Sequence, residues 1–210
     1  MTVIIVFLRM FVKIIKSCLM KVLRLLILCF AITFCCQAKT GKVIVGAEQT
    51  NVYLPILKNK RIAVLSNHTG MIGNEHLVDM LHREKYNVTA IFSPEHGFRG
   101  TADAGEHVKS SVDEKTGIPI RSLYEGGLNR PGNEAMGSFD ILIVDIQDVG
   151  LRFYTYYVTM VKMMDACAEF NKKVLILDRP NPNGHYVDGP ILDMRYKSGV
   201  GWLPVPVVHG

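Results

Sequence analysis

Apolar runs of strand length alternate with stretches of helical spacing over most of the chain. Arg61 to Leu65 reads as a short buried strand that ends in Ser66-Asn67-His68-Thr69-Gly70. Asn74 to Lys85 then places Leu77, Val78 and Leu81 on one side, which predicts a helix with Asn74 near its N-cap. Val88 to Phe92 is a second strand, running into Ser93-Pro94-Glu95-His96-Gly97. Residues 97–118 are polar and glycine-containing and read as a long loop, followed by a short strand, Ile118 to Tyr124, and a second loop, Glu125 to Ser138. Phe139 to Val144 is the strongest strand and ends in Asp145-Ile146-Gln147-Asp148. Tyr154 to Phe170 predicts a helix with Tyr154, Tyr157, Val158, Val161 and Ala168 on one face. Lys173 to Leu177 is a fourth clear strand, running into Asp178-Arg179-Pro180-Asn181.

Strands that are apolar throughout and separated by helices predict a parallel sheet covered on both faces. The expected fold class is therefore α/β: Rossmann-like, doubly wound, with a mainly parallel sheet. Such sheets bind ligands outside the C-terminal ends of their strands. The four polar clusters would then share one rim, which suits a hydroxyl-rich ligand.

Charge changes the picture only once it is split by position. The 210 residues carry 24 Lys+Arg against 19 Asp+Glu, a formal charge of +5, and five cysteines. Residues 1–38 hold five of the cations, no acidic residue and four of the cysteines. The remainder is formally neutral, which argues against a basic nucleic-acid-binding domain. Its one thiol, Cys167, cannot form an internal bridge and lies among apolar helix positions. Met20 opens a basic start (Lys21, Arg24), an apolar run from Leu25 to Phe34, and Cys36-Gln37-Ala38, the layout of a secretory signal peptide. The organisation expected is a spurious or extra N-terminal extension over 1–19, a signal peptide over 20–38, and a Rossmann-like domain over 39–210. The run is shorter than the roughly 20 residues that span a membrane. The expected location is outside the cytoplasm, periplasmic, with Cys35 or Cys36 as a candidate lipid anchor.

The candidate chemistry narrows by elimination. Gly-x-Gly-x-x-Gly is absent after the first strand, so a dinucleotide cofactor has no support, and none is expected. No histidine pair has a helical metal-binding spacing, so no metal site is expected, although His68, His96 and His107 with Asp145 and Asp178 leave a metal-dependent hydrolase as a rival. Gly-x-Ser-x-Gly is also absent, and Ser93 before Pro94 does not suit a nucleophile elbow.

Ser66-Asn67-His68-Thr69-Gly70, Ser93-Pro94-Glu95-His96-Gly97-Phe98-Arg99-Gly100, Asp145-Ile146-Gln147-Asp148-Val149-Gly150 with Arg152-Phe153-Tyr154-Thr155-Tyr156, and Asp178-Arg179-Pro180-Asn181-Pro182 together resemble one family. It is the bacterial exo-β-N-acetylmuramidases of peptidoglycan recycling, glycoside hydrolase family 171, and the likeness runs from about residue 46 to the last residue. The resemblance implies a glycosidase that releases N-acetylmuramic acid from the non-reducing end of cell-wall fragments. It further implies a smaller C-terminal domain that the sequence, ending at Gly210, does not include. The family's catalytic glutamate maps onto Glu95, with His96 tuning it or binding substrate. Asp145, Asp148, Glu106 or the substrate's own acetamido group are the candidates for the second catalytic group. Asn67, Ser93, Gln147, Tyr154, Asp178 and Asn181 are expected to bind substrate. Arg99, Arg152 and Arg179 are candidates for the lactyl carboxylate of muramic acid, with Arg152 favoured. The rival class is an exported domain that captures muropeptides or sugars without chemistry.

Overall fold

The computed structural model describes residues 19–24, 43–100, 110–123 and 130–210. The chain divides into two units, Met1–Lys42 and Val43–Gly210. In the first, residues 19–24 are helical; the extension and signal-peptide expectations otherwise lie outside the described residues.

In the second unit, a 3-10 turn at Gly46–Glu48 leads into α1 (Thr50–Leu57) and β1 (Ile62–Ser66). A hairpin of β2 (Met71–Ile72) and β3 (Glu75–His76) precedes α2 (Leu77–Arg83) and β4 (Val88–Ser93). Then come β5 (Ser111–Val112), β6 (Pro119–Ser122), α3 (Asn133–Gly137), β7 (Ile141–Asp145), α4 (Tyr156–Glu169) and β8 (Lys173–Ile176). Six strands form one sheet in the order β5-β6-β4-β1-β7-β8, in which every pairing is parallel except β5 with β6. The expected α/β sheet is thus present.

Alternation along the strands divides the core in two. Ile62, Val64, Ile91, Ile141 and Ile143 pack with Tyr53 and Leu57 of α1 and Leu77, Val78 and Leu81 of α2. Ala63, Leu65, Phe92, Leu142 and Val144 face the other way, onto Met136 of α3 and Met163, Ala166 and Cys167 of α4. Each such fully buried large apolar side chain contributes about 1.5–3 kcal/mol, so both faces of the sheet must stay covered. Burial also pushes the Cys167 thiol up to about 11, which leaves it protonated at neutral pH.

Three local expectations are corrected. Asn74 does not cap a helix: with Gly73, at φ +57°, it forms the tight turn of the β2–β3 hairpin. The helix starts at Leu77, where the His76 ring accepts from Val78 N at 3.1 Å as its N-cap. The 125–138 loop contains α3, whose Met136 is buried. In α4 the buried face is Tyr156, Tyr157, Val158, Thr159, Met163, Ala166 and Cys167, whereas Ala168 is exposed. The small Ala166 and Cys167 are the residues that let the helix approach the sheet.

Because β1, β4, β7 and β8 are parallel, the segments leaving them emerge at one edge. The chain runs from β1 to β4 on one side and later returns to β7 on the other. The exits of β4, β1 and β7 therefore flank the topological switch point, where parallel sheets open a crevice.

Candidate active site

At the centre of that edge, Asn67 leaves β1 fully buried. Its Oδ1 accepts from Thr69 N at 3.0 Å and from Thr69 Oγ1 at 2.6 Å. Thr69 Oγ1 in turn accepts from Gln147 N at 3.1 Å, which joins the exits of β1 and β7. Gln147 Nε2 donates to the carbonyls of Asp148 (2.6 Å) and Pro180 (2.9 Å), extending the connection to the segment after β8. Asn181 completes it, accepting from Asn183 N at 2.9 Å while its amide packs where a Cβ on Gly150 (φ +70°) would stand, 2.4 Å away. Only glycine fits at position 150.

Below this layer lies an ion pair closed to solvent. Arg179 Nε and Nη2 donate to Asp145 Oδ1 and Oδ2 at 2.6 and 3.0 Å, and Nη2 also reaches Met71 O at 2.9 Å. The two side chains are 8 % and 0 % exposed. Burial pushes the Asp145 carboxyl above its ordinary range, and the Arg179 guanidinium pulls it back. Gly70 packs against the same cluster, since a Cβ there would stand 2.2 Å from Ser66 Oγ and 2.9 Å from His76 Nε2. The His76 ring is within hydrogen-bond distance of Asn67 O at 2.8 Å, so its Nε2–H donates while Nδ1 accepts from Val78 N. Burial holds this imidazole below its usual range, in keeping with that neutral tautomer.

Glu95 stands half-buried after β4, where its Oε2 accepts from Thr155 Oγ1 at 3.3 Å. The next residue, His96, is half-buried with φ +69°, and Gly97 follows at +77°. A left-handed histidine stores backbone strain of the kind that gathers at working sites, and here it turns the chain directly after Glu95. Tyr154 and Tyr156 meet edge to face at 4.8 Å. Burial first and Tyr154 second raise the Tyr156 hydroxyl to about 12, and it feels both Asn67 and Glu95. Tyr154 is raised mainly by burial and then by Asp148. The tyrosine pair thus bridges the Glu95 side of the rim and the Asp148 side.

The remaining expected residues take other positions. Ser93 is fully buried, its hydroxyl donating to Pro94 O at 3.2 Å. Asp178 is exposed and anchors the chain through its carbonyl, which accepts from Gly46 N at 2.7 Å. Arg152 Nη1 donates to the carbonyls of Pro190 and Val205, both at 2.9 Å, and holds the final segment against the site. Glu106 lies outside the described residues. Thr69, Thr155, Tyr156, His76 and His209 join the site without having been singled out; Thr69, Thr155 and Tyr156 lie inside quoted motifs, which were the available signal.

Arg99 turns away from the rim. It binds Asp79 and Asp113, each at 2.9 Å through Nη2, and Lys115 adds a second cation on Asp79 at 2.6 Å. Desolvation is the largest single influence on both carboxyls and pushes them up. The hydrogen bonds from Arg99, with Lys115 and Thr116, together outweigh it and hold both below 3.8. Groups depressed in the folded state stabilise it above their unfolded pKa and cease to do so as pH falls through the folded value. Urea midpoints are therefore expected to fall as pH drops below about 3.8. In Arg99→Gln that acid-dependent part of the loss shrinks; an unchanged profile would contradict the assignment.

The sequence pattern of the family described as "Exo-beta-N-acetylmuramidase NamZ, N-terminal" matches residues 62–210, which include every strand and helix of the sheet from β1 onwards and all four rim clusters. The chain belongs to this family. Within it, the chain is 47% identical over 177 residues to the "Peptidoglycan beta-N-acetylmuramidase NamZ" of Bacillus subtilis, a match covering 82% of the chain and 42% of that protein. Crystal structures of two DUF1343 family proteins from Bacteroides fragilis share the fold, both with a TM-score of 0.72. One is 66% identical, covering 81% of this chain and 44% of that one; the other is 35% identical, covering 79% and 42%. The chain thus spans less than half the length of these relatives. As a NamZ-type N-terminal domain, it carries its polar rim on the sheet edge where the fold places ligands.

Proposed function

We propose that the chain carries the acid-bearing part of a glycosidase that releases N-acetylmuramic acid from the non-reducing end of peptidoglycan fragments during cell-wall turnover and recycling. The observation that carries this reading is the 47% identity to a peptidoglycan β-N-acetylmuramidase. The position of Glu95, half-buried at the exit of β4 directly before the strained turn at His96, supports it. Glycoside cleavage needs an acid to protonate the departing oxygen and a second group to meet the oxocarbenium-like centre. Glu95 is the acid in this reading, Asn67 and Tyr156 hold the sugar beside it, and His96 lines the same turn. Of the three candidate arginines, Arg99 and Arg179 already neutralise internal carboxylates. Arg152 is therefore the residue proposed to meet the lactyl carboxylate. The protein works outside the cytoplasm, exported by the signal at 20–38; neither a metal nor a cofactor takes part.

Substrate preference tests the reading. Muramic acid glycosides are expected to be turned over, and the matching glucosamine glycosides, which lack only the lactyl ether, more slowly by about tenfold or more. Equal rates would contradict muramic acid recognition. The rival reading, capture of muropeptides without chemistry, predicts saturable binding and no product.

A further inference from the structure

Among the described residues, three buried side-chain polar atoms have no hydrogen-bond partner: Asn67 Nδ2, Asp148 Oδ1 and His209 Nε2. Each such atom costs about 1–3 kcal/mol, and folded proteins seldom keep one without a use. All three lie on the rim just described. Asp148 Oδ2 accepts from Gly150 N at 3.0 Å, which fixes the carboxylate and leaves Oδ1 unused. His209 Nε2 stands 3.8 Å from the same Oδ2. That is too long for a direct hydrogen bond, but it sets the imidazole beside the carboxylate.

His209 is held there by structure far from it in sequence. Its backbone N donates to Gly150 O at 2.9 Å, and Val208 bridges to both Leu151 and Asp188. Its ring meets Tyr157 at 5.8 Å, edge to face. The strand-like tail therefore delivers an imidazole to a carboxylate at the exit of β7. Asp145, the nearest competing carboxylate in sequence, has both oxygens committed to Arg179, whereas Asp148 keeps Oδ1 without a partner.

We propose that Asp148 is the second acid–base group of the site and that His209 acts through it as a positioning residue. This rests on the glycosidase reading of Glu95. As a water oxygen bonds to the anomeric carbon, that carbon's bond to the leaving oxygen breaks. Glu95 gives its proton to the leaving oxygen, and the proton lost by the water passes to Asp148 Oδ1. Exchange with solvent then returns both carboxyls to their starting states. The imidazole beside Oδ2 orients the carboxylate.

The test uses the full chain and a muramic acid glycoside. Asp148→Asn is expected to lower kcat about 100-fold or more with KM within about twofold, as loss of a group that acts only in the transition state requires. In Asp148→Ala, azide, a nucleophile with no proton to lose, is expected to raise turnover and to yield a glycosyl azide. His209→Gln is expected to lower kcat less and to displace one limb of the pH–rate profile, an effect that a merely structural role would not produce. If Glu95→Gln is inactive while Asp148→Asn keeps its rate, or if azide rescues nothing, Asp148 is not the second group. If His209→Gln lowers the rate equally at every pH, the positioning role of His209 is overturned. A wild type that forms no product at all refutes the glycosidase reading, and this proposal with it.

Discussion

Arg179→Met is expected to destabilise the folded domain by about 3–5 kcal/mol, because it leaves Asp145 as an uncompensated charge in a site with no solvent. Asp145 is 0 % exposed, and both of its oxygens depend on Arg179. Breaking the pair also frees Met71 O, so the β2–β3 hairpin loses its tie to the segment after β8. Replacing both partners, as in Asp145→Leu with Arg179→Met, is expected to recover much of the loss, since a buried pair contributes little compared with apolar residues of similar volume. Urea unfolding at pH 7 of the wild type, the single variant and the double variant measures both effects. A single variant within about 1 kcal/mol of the wild type would show that the charge finds water or another partner.

Glu95→Gln is expected to lower turnover of a muramic acid glycoside by two to four orders of magnitude, the usual contribution of a positioned general acid, while leaving substrate affinity nearly intact. Glutamine keeps the shape of the side chain and can still meet the Thr155 hydroxyl, now 3.3 Å from Oε2. The fold should therefore survive, with an unfolding midpoint close to that of the wild type. Loss of binding together with loss of rate would instead make Glu95 a substrate-holding residue.

How much of this was legible in the sequence depended on the range of the interaction concerned. The strands β1, β4 and β7 announce themselves because they are buried on both faces over most of their length and so read as unbroken apolar runs; β8, the partly exposed edge strand, shows the same run in Val174, Leu175 and Ile176. Their parallel pairing then places the polar exits together without further information. The hairpin at Met71–His76 was hidden because its two-residue strands are too short to show a period, and Asn74 reads equally well as a helix cap. The helix Asn133–Gly137 was masked by the glycines at either end of it.

At the site, residue types were legible but pairings were not. Arg179 and Asp145 are 34 positions apart, and nothing local marks them as partners. Arg99 lies inside the Glu95 motif, which made it look like a substrate ligand, whereas Phe98 is buried and its ring packs on His76 and under the Arg99 guanidinium. That packing turns Arg99 toward Asp79 and Asp113. His209 stands in a run of valines and prolines that reads as a strand, and only the tertiary bridge to Leu151 brings it to Asp148.

The central claim is that this rim cleaves a muramic acid glycoside and that Glu95 supplies the proton. Mass spectrometry of saccharides with muramic acid at the non-reducing end, incubated with the wild type and with Glu95→Gln, tests it most directly. Free N-acetylmuramic acid and a saccharide one sugar shorter are expected from the wild type, and the intact saccharide from the variant. Intact saccharide bound to the wild type without any product, or equal product from both proteins, would contradict it.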